Sequence, residues 1–183
     1  MTTLAKDNAR DYELGDINEL PMIAADIIYE GAAVGDNGSG YARPLVAGDP
    51  FRGFAERKSD NASGSAGDVR VRVRDKGLVK LAIGSLAITD VGKDVYASDD
   101  DTFTLTQGSN TRVGYVYRWI STGVGIVAFN AAIGAEAEIV DSTTGTADGT
   151  LADVGAAFSQ STLNNNFADL AAKVNYLFRK MGN

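Results

Sequence analysis

The chain has 183 residues, 44% of them hydrophobic and 22% charged, which suits a folded domain with its own core and argues against wholesale disorder. It contains neither cysteine nor histidine, which removes disulfides, thiolate nucleophiles, zinc–thiolate sites, the commonest general base and the commonest transition-metal ligand. The net charge of −7 repels a phosphate backbone, so nucleic acid is not expected as a partner. No run approaches the roughly 18 apolar residues of a membrane span, so a membrane is not expected either. The opening Met1-Thr2-Thr3-Leu4-Ala5-Lys6-Asp7 lacks the layout of a secretory signal, and synthesis in a cytosol is the expectation.

Residues 1–20 space Leu4, Tyr12, Leu14, Ile17 and Leu20 among charges without helical periodicity and run into Pro21. Two readings stay open: a frayed terminus, or an extended arm that orders on another subunit. The arm reading makes Leu4, Tyr12, Leu14 and Ile17 its contact residues.

Residues 21–132 read as a β domain, because short β-branched and aromatic runs alternate with Gly/Asn/Asp/Ser clusters. A first run spans Ile23 to Tyr29, and Gly35-Asp36-Asn37-Gly38-Ser39-Gly40 predicts a turn. The strict alternation in Asp68-Val69-Arg70-Val71-Arg72-Val73-Arg74 puts three valines on the core side and three arginines on the other. Asp75-Lys76-Gly77 then predicts a hairpin back along Leu78 to Ile83. Val95-Tyr96-Ala97 and Thr102 to Thr106 flank a turn at Ser98 to Asp101. A last hairpin joins Arg112–Ile120 to Val124–Phe129 through Ser121-Thr122-Gly123, with Val113, Tyr115, Tyr117 and Trp119 expected on one face. With around eight short strands, the expectation is mainly β: a small β-barrel, sandwich or jelly-roll-like domain.

Residues 133–158 turn to Gly, Ala, Thr, Ser and acids and read as a linker. In residues 159–183, Leu163, Phe167, Leu170, Val174, Leu177 and Met181 recur at spacings of 4, 3, 4, 3 and 4. That is a heptad seam, predicting a C-terminal α-helix that self-associates as a coiled coil, assisted by contacts of the β domain. Ser159 or Ser161 is the expected N-cap. The competing reading packs the same stripe on its own β domain.

Candidate chemistry is thin. The glycine-rich segments 35–40 and 64–67 lack the spacing and lysine of a phosphate loop and read as turns. Asp99-Asp100-Asp101 lacks the alternating acids and closing glutamate of a calcium loop. No serine sits in a nucleophile elbow, and no carboxylate pair stands out. No catalytic residue, cofactor or metal is therefore expected, and the chain is not expected to be an enzyme. Arg70, Arg72 and Arg74 carry two readings, an interface strip for an acidic neighbour and a solvent face paired with nearby acids.

Several segments, taken in order, resemble the decoration (cement) proteins of bacteriophage capsids. They are Ile27 to Val34 with Gly40-Tyr41, Gly53-Phe54-Ala55-Glu56, Asp60 to Gly64, and Gly67 to Val73 with Gly77 and Leu81. Asp90 to Asp100 with Val113-Gly114 completes the series, so the resemblance covers roughly residues 15–130. It implies a β-barrel or jelly-roll-like domain on the outer surface of the head, in the virion, bridging neighbouring major capsid subunits after synthesis in the host cytoplasm. No catalytic residues carry over. The linker and the helix start resemble trimeric phage fibre segments, which favours a homotrimer over a dimer. The alternative is a tail, baseplate or head-fibre protein that binds host-surface glycan.

Overall fold

The structure is a computed structural model that describes residues 15–131 and 159–181. Leu4, Tyr12 and Leu14 of the expected arm, and the expected linker, lie outside the described residues. The chain is mainly β with one C-terminal helix, as expected, and it divides into two compact units, Met1–Ala132 and Ile133–Asn183.

The first unit begins with β1 (Ile17–Pro21), β2 (Ile27–Ile28), β3 (Ala33–Asp36), β4 (Ala42–Pro44), β5 (Phe51–Ala55) and β6 (Ser59–Asp60). It continues with β7 (Arg70–Arg74), β8 (Lys76–Ala82), β9 (Asp94–Ala97), β10 (Phe103–Thr104), β11 (Thr111–Ser121) and β12 (Val124–Asn130). One antiparallel sheet has the order β1-β7-β5-β3-β4, a second has β10-β9-β11-β12-β8, and β2 pairs with β6. Neither order closes into a continuous ladder among the described residues, although an isolated bridge between Ile83 and Phe103 links the two ends of the second.

The two five-stranded sheets meet through one core. Ala33 and Phe54 contribute from the first sheet, and Leu81, Val95, Val113, Val116, Val127 and Phe129 from the second. Phe54 is its centre, with ring centroids 5.2 Å from Phe51, 6.0 Å from Phe103 and 4.9 Å from Phe129. Such edge-on and tilted contacts fill the layer without stacking the negative ring faces. A second cluster lies on the other side of the first sheet, where Val34, Ala55, Val71 and Val73 meet Met22, Ile28, Ala32 and Ala42. Val71 and Val73 are fully buried, as their alternation predicts. Each contributes about 1.5–3 kcal/mol of apolar burial.

Four expectations are corrected. Ile17 belongs to a strand, paired with Arg74, so the sheet begins inside the segment read as an arm. Strand β1 is an edge strand, where Pro21 needs no donor on its open side. The predicted hairpin of β7 with β8 does not form. Strand β7 already has β1 and β5 as neighbours, while β8 crosses to the second sheet and pairs with β12 from Lys76↔Asn130 to Ala82↔Val124. Gly77, at φ +145°, permits the sharp change of direction. The run from Ile23 to Tyr29 is interrupted by Ala25 at φ 57°, leaving only Ile27–Ile28 as strand. Finally, register shifts at Val116/Arg118 and Trp119/Ser121 break the alternation of β11. Val113 and Val116 turn inward while Tyr117 is 52% exposed, so the four expected residues do not share a face.

The glycine-rich turns have local causes. In the turn from β3 to β4, Asp36 Oδ1 accepts the N–H groups of Gly38 and Gly40, and Asn37 Oδ1 accepts those of Ser39 and Tyr41. Asn61, itself buried, donates to the carbonyls of Ile23 and Ser65 and pins the loop of Gly64 to Gly67. These bonds to backbone are the turn reading made in atoms, while Asp36 Oδ2 takes Arg52 and the buried Asn61 Oδ1 finds no partner among the described residues.

Candidate functional site

Helix α1 (Gln160–Met181) makes up the described part of the second unit. Ser159 is its N-cap: its Oγ accepts the N–H of Thr162 at 3.4 Å, and its carbonyl accepts that of Leu163 at 3.1 Å. At about 100° per residue, Leu163, Phe167, Leu170, Val174, Leu177 and Met181 share a stripe about 80° wide. Phe167, Leu170 and Leu177 in that stripe are exposed at 51%, 53% and 56%. Leu163 and Val174 are half-buried. The buried helix residues, Ala168, Asp169 and Asn175, lie on the opposite side. The apolar stripe is thus left open, and the polar side is the covered one. That inverts the usual arrangement of an amphipathic helix packed on its own domain.

The arginines of β7 are tied into the chain. Glu56 holds two of them: Oε2 accepts from Arg72 Nε at 2.8 Å and Oε1 from Arg74 Nη2 at 2.7 Å. Arg74 also reaches Asp16 at 3.4 Å, and Arg70 donates to the carbonyl of Glu19 at 3.2 Å. With both oxygens of Glu56 used, this is an internally paired strip of the kind worth about 0–1 kcal/mol per exposed pair. Arg74 and Glu56 also line an open cleft of about 510 Å³ with Glu30, Phe54, Leu78 and Phe129.

A different face is unpaired, and sequence reading missed it. In β8, Val79 and Leu81 point to the core, so Lys76, Leu78, Lys80 and Ala82 point outward. The register sets Lys80, Ile126 and Arg118 in one row across β8, β12 and β11, and Leu78, Ala128 and Tyr115 in the next. Neighbouring strands lie about 4.8 Å apart, so the backbones of Lys80 and Arg118 are about 10 Å apart with Ile126 between them. Arg43, Arg52, Lys58, Arg72, Arg74, Lys93 and Arg112 all hold carboxylates. Lys76, Lys80 and Arg118 hold none among the described residues. Leu78, 59% exposed, stands among them. The alternation of Lys and Leu in β8 was readable, but Arg118 joins them only through strand pairing.

Acids collect elsewhere. Asp99 Oδ1 accepts the N–H groups of Asp101 and Thr102, and these hold its carboxyl below the ordinary range. Burial pushes the Asp100 carboxyl upward, and the negative charges of Asp99, Asp101 and Asp26 push the same way. The described residues contain no group of three or more acids placed to hold a metal ion. Compared with known proteins, the chain matches no protein-family model and no curated protein.

Proposed function

We propose that the chain is a structural protein of a bacteriophage virion: a homo-oligomeric decoration protein that binds the outside of the head and cements neighbouring major capsid subunits. The observation that carries the assembly part is the open stripe of Phe167, Leu170 and Leu177 at heptad spacing. Large apolar side chains on one helix face stay in water at a cost, and a second or third copy of the same helix removes them from it. A trimer fits the role, because a contact of under about 1,200 Å² with the shell is weak alone while linked copies gain about 10²–10⁴ in avidity. The capsid part rests on the ordered segments between residues 15 and 130 that resemble cement proteins. The N-terminal segment through Leu4, Tyr12 and Leu14 is the arm that reaches the shell. Deleting residues 1–14 spares β1 and the Asp16–Arg74 pair. The truncated protein is expected to keep its fold and lose attachment to undecorated heads, whereas full occupancy by it would refute the arm's role.

A second reading has one observation in its favour: Tyr29 and Tyr117 are exposed at 59% and 52%, and exposed aromatic rings suit stacking on sugars. It makes the protein a tail, baseplate or head-fibre component that binds host-surface glycan. Electron microscopy of particles labelled at the C-terminus separates the two, with signal over the head for the first and at the tail tip for the second.

A further inference from the structure

The outer face of the second sheet combines three features that rarely coincide on an idle surface. It is apolar at its middle, through Leu78, Ile126 and Ala128. It is basic in a chain of net charge −7, through Lys76, Lys80 and Arg118. Those cations have no carboxylate among the described residues, although seven others of the same unit each hold one. A desolvated apolar centre bordered by free cations is the layout of a docking surface for an acidic protein patch.

The chain carries such a patch itself. Asp99, Asp100 and Asp101 lie in the turn between β9 and β10. Asp99 and Asp101 are exposed, and none of Asp99, Asp100 and Asp101 makes an ion pair among the described residues. The order β10-β9-β11-β12-β8 puts the acidic turn and β8 at its two ends, which a bridge between Ile83 and Phe103 brings together. Among the described residues, no ion pair joins these complementary patches within one copy. Between copies they make a head-to-tail contact, which generates a ring where the rotation closes.

We propose that a second copy of this chain docks head to tail on the outer face of β8, β12 and β11, its acidic turn of Asp99, Asp100 and Asp101 against Lys76, Lys80 and Arg118. This contact deepens the proposed homo-oligomeric assembly and rests on that part of the reading. It supplies the β-domain association that a helix of under three heptads needs to form a stable bundle. Edge strands invite pairing with another chain, and the lysines of β8 limit the match to a partner bearing acids.

The test is charge reversal in the full chain. Lys80→Glu with Arg118→Glu changes two exposed side chains that make no ion pair among the described residues. Asp100→Lys with Asp101→Lys spares Asp99 and its turn-forming bonds. Each pair of substitutions is expected to weaken association by about tenfold or more in sedimentation at low salt, and the Lys80 and Arg118 pair is expected to leave thermal unfolding of the β domain little changed. All four substitutions in one chain restore complementarity and are expected to recover the wild-type mass. The neutral pair Lys80→Gln and Arg118→Gln should fall between wild type and reversal. An unchanged assembly in the reversed variants overturns the proposal, and so does a four-substitution chain that fails to recover. Binding to undecorated heads, measured on the same variants, separates the two ideas. Heads coated by an assembly indifferent to reversal leave the cement reading standing without this contact. A salt-sensitive, swap-rescued assembly that ignores heads supports the contact and removes the cement reading.

Discussion

Leu170→Asp puts a carboxylate into the middle of the open stripe. The side chain is 53% exposed, so folding of the single chain has buried only about half of it. Full burial of a leucine is worth about 1.5–3 kcal/mol, which leaves about 1 kcal/mol per helix to be gained on association and about 3 kcal/mol per trimer. Placing three carboxylates in the seam adds a desolvation cost of about 1 kcal/mol or more each. The sum, about 6 kcal/mol per trimer, corresponds to a fall of about 10⁴ in the assembly constant. Helix propensity changes by only about 0.7 kcal/mol, so the helix is expected to persist where it is otherwise stable. Sedimentation equilibrium over a concentration series reads the mass, and far-UV circular dichroism of the same samples reads the helix. The expected result is a smaller or concentration-dependent oligomer with the β domain intact. An unchanged mass would refute the seam and return the stripe to a packing role within its own chain.

Gly53 stands at φ +121°, where an added Cβ would run into the carbonyl of Arg74. Gly53→Ala is therefore expected to cost about 2 kcal/mol or more, read as a lower denaturant midpoint with an unchanged slope. Glu56→Gln removes the charge that gathers Arg72 and Arg74, and should cost about 1 kcal/mol at low salt and less at 1 M. Asp100 has its folded pKa raised above the ordinary 3.8, so its contribution to stability is full below that value and lost as pH rises through the raised one. Asp100→Asn should accordingly raise the melting temperature at pH 7, with the gain fading below pH 3.8. Asp36 behaves in the opposite sense. Burial pushes its carboxyl up, but Arg52 and the N–H groups of Gly38 and Gly40 outweigh that and hold it below 3.8. Its stabilisation is present above that value and lost as pH falls through the lowered pKa, so Asp36→Asn should cost stability at pH 7 and nothing in strong acid.

What could be read in advance was local. The valine alternation of β7, the Ser121-Thr122-Gly123 hairpin, the β9–β10 turn and the heptad spacing of α1 each lie within one continuous stretch, and period and turn chemistry settle them. What could not be read depends on pairing between distant strands. Nothing within residues 68–83 says that β1 and β5 occupy both sides of β7 and send β8 to the other sheet. The shifts in β11 likewise arise from its contacts with β9 and β12, and they turned an apparent aromatic face into the inward Val113 and Val116 beside the outward Tyr117. The same limit hid the basic face: Lys80 and Arg118 are 38 positions apart in the sequence and two strands apart in the sheet. The arginine ladder carried two readings, and the one that pairs it with nearby acids matches the ion pairs. It was conspicuous as a repeat, yet Glu56, fourteen residues before Arg70, already holds two of its three members.

The proposal that this is a head cement is tested most directly by mixing the purified full-length protein with undecorated phage heads and imaging them by electron microscopy. The account predicts saturable, stoichiometric density on the outer surface at a symmetry axis, with one oligomer per site and greater resistance of the heads to loss of DNA. Bare heads at saturating protein, or density confined to the tail, would contradict it.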